Sequence, residues 1–158
     1  MPIILADEGG VRRVSLGTFA LQPRRHIPAH LKPWNTMNAR AETIAQKPSY
    51  ETDKAVRWEI GMADDASFAV AGLWKEWPEE DGSKTIGFTQ ITVNADEHPL
   101  MKRFHKPNDE KRSLVIVLVD QYDDWLSCRD TEVARSFLSL YPAGNMTSRE
   151  VPIPTRKK

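Results

Sequence analysis

Apolar and polar positions alternate with a period of two over residues 55–60, where Val56, Trp58 and Ile60 share one face, so a half-buried strand is predicted. Residues 68–74 are almost continuously apolar and predict a buried strand. Over 85–93 the phase changes: Ile86 and Phe88 fall on one face, Ile91 and Val93 on the other. That slip near Gln90 predicts a bulge, and the polar stretch 79–82 before it predicts a turn. Residues 114–119 form the most apolar run of the chain and predict a central strand.

Helices are predicted around these strands. A short one is expected over 36–46, ended by Pro48. Asn94 and Glu97 have the spacing of a capping box, which predicts a helix through Phe104. Asp120 is placed to cap a helix carrying Trp125 and Leu126. A further helix over 131–140 would put Val133, Phe137 and Leu140 on one face. Strands and short helices without regular alternation predict an α+β fold. One domain is expected over 1–150, followed by a loose tail over 151–158.

Composition narrows the reading. The 22 Lys and Arg balance 22 Asp and Glu, so the chain is not a uniformly basic nucleic-acid binder. Charge is unevenly spread, however. Between Arg12 and Lys54 the only acids are Glu42, Glu51 and Asp53, while acids cluster at 64–65, 79–81 and 120–124. One basic face on a neutral protein is therefore expected. A single cysteine, Cys128, excludes a disulfide framework and a four-cysteine zinc site. His26 and His30 flank Pro28, which prevents the helix that would align them, so no metal is expected. No cofactor is expected either. No apolar run reaches membrane-spanning length and no signal peptide is present, so a cytoplasmic, nucleoid-associated monomer is expected.

Four groups carry candidate chemistry. Asn38-Ala-Arg-Ala-Glu-Thr43 would set Asn38 and Glu42 on one helix face, or simply form a solvated ion pair through Arg40. His105 stands between a capped helix and the central strand, where it can act as acid or base or be an ordinary loop histidine. The proline-rich loop with Arg24, Arg25, His26, His30, Lys32 and Trp34 offers cations for phosphates and an aromatic for an unpaired base. Trp58, Trp74, Trp77 and Trp125 are expected in the core. Cys128 is read as a structural thiol.

Several segments, in one order along residues 14–126, resemble those of the SRAP family of abasic-site-processing proteins. Asn38-Ala-Arg-Ala-Glu-Thr43 is similar to N-A-R-x-E-T, and Phe68-Ala-Val-Ala-Gly-Leu-Trp74 to the strand ending A-G-L-W. The 89–101 segment resembles T-x-x-T-x-x-A, and His105-Lys-Pro-Asn-Asp-Glu-Lys-Arg112 a variant of H-x-R-M-P. Trp125-Leu126 is similar to W-L, and Phe19-Ala-Leu-Gln-Pro23 to a weakened W-G-L-x-P. The resemblance implies a mixed, mainly antiparallel curved sheet with short flanking helices. It implies a partner, single-stranded DNA carrying an abasic site, and a role in the SOS response to DNA damage. Family members capture the lesion's aldehyde with an N-terminal cysteine whose amine and thiol close a thiazolidine. By the same resemblance Asn38, Glu51 and His105 take the catalytic places. Arg40 takes a DNA-backbone place, with Arg24, Arg25, Trp34 and Arg112 as further DNA contacts.

The departures matter as much. Residue 2 is Pro2, and Pro2-Ile3-Ile4 resembles an interior family strand, so a start downstream of the usual one is expected. Most of the family's R-C-x-x-P-A-x-x-F-Y-E stretch is missing near 48–54, leaving Tyr50-Glu51 as its surviving end. Three activities stay open: non-covalent binding of abasic single-stranded DNA, Schiff-base lyase or peptidase-type chemistry through His105 and Glu51, and an inactive truncated remnant.

Overall fold

The computed structural model describes residues 1–7, 9–30, 38–40, 58–105 and 108–151, with the backbone alone at 38–40. Its spine is the strand β8 (Lys84–Asn94). The earlier strands are β1 (Pro2–Ala6), β2 (Arg12–Leu16), β3 (Thr18–Phe19), β4 (Asn38–Arg40), β5 (Trp58–Met62), β6 (Ala69–Val70) and β7 (Gly72–Pro78). After it come β9 (Arg112–Leu114), β10 (Ile116–Val117), α1 (Tyr122–Ser127), α2 (Thr131–Ser136) and β11 (Met146–Glu150).

Along one edge of β8, β7 pairs antiparallel with 84–90, and β9 then takes over at 92–94. Along the other edge β3 and β4 run parallel to it, with Asn38 opposite Gln90 and Arg40 opposite Thr92. The handover from β7 to β9 is a three-strand junction. The Ala71 N–H donates to the Val115 carbonyl, Ile91 to Ala71, and Val115 to Ile91, at 2.8, 2.9 and 3.1 Å. Every backbone group there finds a partner without water, as a buried crossing requires. Gly72 follows because a Cβ there would stand 2.7 Å from the Thr89 carbonyl oxygen. Beyond the junction β10 pairs with β6. Elsewhere β1 and β2 form a hairpin, and β11 pairs with β5. The fold is thus α+β with mainly antiparallel pairing.

The core gathers Ala71, Ile91, Val93, Val115 and Val117, with Tyr122, Trp125 and Leu138 packed against them. Trp125 meets Phe137 edge-on at 5.8 Å, which docks α1 and the end of α2 together. On the opposite side Phe88 packs on Phe19 at 5.5 Å. This two-sided burial explains the change of phase over 85–93. The register with β7 runs unbroken from Gly72–Gln90 to Pro78–Lys84, so no bulge forms. The apolar positions change face because each face has its own cover.

Several sequence expectations are corrected. Asn38–Arg40 is a strand, not part of a helix over 36–46, because β8 offers it a free parallel edge; residues 41–46 lie outside the described set. Leu73 and Trp74 are exposed, so the apolar run 68–74 is buried only in part. No helix spans 94–104. Asn94 instead ends β8, and its Oδ1 accepts the Asp96 N–H at 2.9 Å, turning the chain at once. Only Met101–Phe104 winds, as a 3-10 turn. Asp120 is not a cap, since it lies inside the 3-10 turn Val119–Gln121 that leads into α1. Asp130 is the cap that exists: its side chain accepts from Glu132 and Val133 at the start of α2. That helix ends at Ser136, where Phe137 and Leu138 turn towards Trp125 and the core. Trp58 and Trp74 lie at the surface, against the core positions expected of them.

Candidate nucleic-acid interface

Two groups of sequence-singled residues converge on β8. The first lies at its C-terminal end. Asn94 stands opposite Arg112 in the β8–β9 register, and the intervening loop folds back on itself. The Ala95 N–H donates to the Lys111 carbonyl at 2.8 Å, and the Lys111 N–H donates to Asp96 Oδ1 at 3.0 Å. The Asn94 side-chain amide and then the Lys111 N–H hold the Asp96 carboxyl below its usual range, with smaller help from the charge of Lys111.

His105 sits on this base. Its Nδ1 lies 3.0 Å from the Met101 carbonyl, and its Nε2 lies 3.0 Å from the Arg112 backbone N–H. A backbone N–H can only donate, so Nε2 accepts and the proton resides on Nδ1, which donates to Met101. Both nitrogens of the ring are therefore engaged by backbone. A proton-accepting role requires His105 to release the Arg112 N–H.

Arg112 is largely buried, its side chain 13 % exposed. Its Nη2 donates to the Thr92 carbonyl at 2.5 Å and to Thr92 Oγ1 at 3.0 Å, and its Nη1 pairs with Glu110 at 2.8 Å. Thr92 is also the residue opposite Arg40. The segment holding Asn38 and Arg40 and the segment from His105 to Arg112 thus flank the same few residues of β8, on its two edges.

The second group is the basic loop. Arg24–His26 forms a 3-10 turn that packs on the β7–β8 hairpin. His26 lies over Trp77 with ring centroids 5.1 Å apart, and Trp77 Nε1 donates to the Leu21 carbonyl at 2.8 Å. Lys75 Nζ stands 4.5 Å from the same indole, a cation over an aromatic face. Arg25 pairs with Glu79 and Thr85, and His26 Nε2 lies 3.2 Å from Glu79 Oε1. Burial pushes the Glu79 carboxyl up, but hydrogen bonds from Thr85, His26 and Arg25 together outweigh it and hold the group below its usual range. Arg24 is exposed.

The sequence-singled residues therefore divide. His105 and Arg112 are joined by a hydrogen bond, and Asn38 and Arg40 reach the same strand. Arg24 and Arg25 stand on the separate loop cluster. Glu51 and Trp34 lie outside the described residues. Cys128 follows α1, its Sγ 3.2 Å from the Asp130 carbonyl. Sequence reasoning places Thr92 in the 89–101 segment without giving it a role and misses Asp96; the two fix the loop. It also missed His98, which is buried at 4 % exposure. The signal for Asp96 is present in Asn94-Ala-Asp96, an Asx-turn spacing that overlaps the capping-box spacing of Asn94 and Glu97. Among the described residues no group of acidic, histidine and cysteine side chains could hold a metal, and no helix is long and apolar enough to cross a membrane.

Known proteins resemble the chain in sequence and in fold. The chain is 28 % identical to the abasic site processing protein YoaM of Bacillus subtilis over 75 % of its own length and 60 % of that protein's. Identity to YobE of the same organism is also 28 %, over 75 % and 62 %. The chain thus spans about three-fifths of the length of these curated relatives. A crystal structure of a Bordetella bronchiseptica protein superimposes with a TM-score of 0.75 at 28 % identity, covering 96 % of this chain and 83 % of that one. The sequence model of the family described as SOS response associated peptidase (SRAP) matches residues 51–154, two-thirds of the chain, and the chain belongs to that family.

Proposed function

We propose that this chain recognises abasic sites in single-stranded DNA by non-covalent binding, within the response to DNA damage. The observation that carries the reading is the convergence on β8. Asn38 and Arg40 lie opposite Gln90 and Thr92 on one edge, and His105 is tied to Arg112 beside the other. In this reading Asn38, Glu51 and His105 face the lesion. Arg40, Arg24, Arg25 and Arg112 contribute positive charge along the strand, and Trp34 stacks on a neighbouring base. The names of the Bacillus subtilis relatives support the lesion as the target.

The placement of the one thiol supports the non-covalent form. The one cysteine, Cys128, is engaged with Asp130 at the end of α1. Binding then depends on phosphate contacts, which release counterions and make affinity fall with salt. Fluorescence anisotropy with a labelled single strand across a salt series tests this. Arg40→Ala is expected to weaken binding and to reduce the slope of log affinity against log salt by about one. An unchanged slope, or no binding at low salt, contradicts the proposal.

A further inference from the structure

His98 is the most buried histidine of the described residues. Its Nδ1 lies 3.0 Å from the Met101 N–H and 3.2 Å from the Leu100 N–H. Two donors converge on that nitrogen, so it carries no proton. The proton sits on Nε2, which donates to the Tyr141 carbonyl at 2.8 Å. The ring thereby does two things. It caps the Met101–Phe104 turn in place of the serine or aspartate usual there, because the turn's N-terminal position, Leu100, has no side-chain cap of its own. It also ties that turn to the 137–145 segment.

The same Met101 that donates its N–H to His98 accepts the Nδ1–H of His105 on its carbonyl. A continuous path therefore runs from the Tyr141 carbonyl through His98, Met101 and His105 to the Arg112 N–H. We infer that His98 is a positioning residue for His105: by capping the turn it aims the Met101 carbonyl at Nδ1, and so fixes the tautomer and ring direction of His105. The functional half of this inference rests on the proposed recognition of abasic DNA; the structural half does not.

Two substitutions separate the two bonds of His98. His98→Asn puts an amide oxygen where Nδ1 stands, preserving the cap while losing the link to Tyr141. His98→Gln reaches Tyr141 but abandons the cap. Nitrogen-15 NMR of the ring nitrogens reads the tautomer of His105 directly, and anisotropy reads the preference for abasic over intact single strands. The Asn variant is expected to keep the Nδ1–H signature of His105 and the wild-type preference. The Gln variant is expected to lose the single tautomer and to bring the preference for the abasic strand down towards equal binding of the two strands. A wild-type His105 spectrum in the Gln variant overturns the inference, as does an Asn variant as impaired as the Gln one. If His105 responds as expected but neither these variants nor His105→Ala alters the preference for abasic DNA, the positioning role stands and His105 has no part in the recognition; if the wild-type protein shows no such preference, the proposed recognition fails while the positioning role stands.

Discussion

The Arg112 backbone N–H donates to His105 Nε2 at 3.0 Å, so a strand and a turn are joined through one imidazole. The ring's other nitrogen donates to Met101. Removing the ring leaves a half-buried N–H and a carbonyl without partners. Such losses cost about 1–3 kcal/mol. His105→Ala is accordingly expected to lower the free energy of unfolding by that amount in urea titration. An unchanged midpoint and slope would show that water replaces both bonds freely.

Arg112 is held by its fork. Nε and Nη2 reach Thr92 while Nη1 reaches Glu110. A lysine has one ammonium and cannot serve both directions. Arg112→Lys is therefore expected to recover little of the stability lost in Arg112→Ala, with both variants destabilised by roughly 1–3 kcal/mol. Thermal melting checks this, and full rescue by lysine would assign the residue a purely coulombic role.

Asp96 makes the loop beside His105 sensitive to acid. Its folded pKa lies below the ordinary 3.8, chiefly because Asn94 and the Lys111 N–H bond its charged form. A depressed folded pKa adds stability that is fully present above the unfolded value and is lost as pH falls through the folded one. Amide exchange at Lys111, corrected for intrinsic rate, is expected to lose protection below about pH 3.8 and to be steady above it. In Asp96→Asn that acid step should vanish; its persistence would place the transition elsewhere.

Gly87 carries the weight of the basic loop. A Cβ there would stand 2.4 Å from the Leu21 carbonyl oxygen and 2.8 Å from that of Ala20. Ala20 already has φ of 133° and is held by its N–H donating to Phe88. Gly87→Ala must push backbone aside, and overpacking of this kind costs about 1–3 kcal/mol. Because Leu21 accepts from Trp77, the shift should also appear in indole fluorescence. A variant with native stability and native emission would contradict the close approach.

Much of this fold was legible in the sequence because its strongest signals are local. The runs around Phe88, Val115 and Trp125 each predict an element, and the structure builds one at each. What was not legible depends on partners distant in the chain. Residues 38–40 have helix-compatible composition, yet β8 offers them an edge, and tertiary pairing overrides propensity. Asn94 and Glu97 imitate a capping box, but Ala95 and Asp96 are claimed by Lys111, sixteen and fifteen residues on. For the candidate site, His105 and Arg112 were singled out separately. Their hydrogen bond runs through the Arg112 backbone, which no side-chain pattern reports. His98 was invisible for the same reason, since three of its partners are main-chain groups.

The central claim is recognition of an abasic site in single-stranded DNA. Its most direct measurement is competition anisotropy at low salt between two single strands of one sequence, one carrying a stable abasic analogue and one intact. The account predicts that the abasic strand competes several-fold more strongly, and that His105→Ala narrows the difference. Equal competition by the two strands, or none by either, would contradict it.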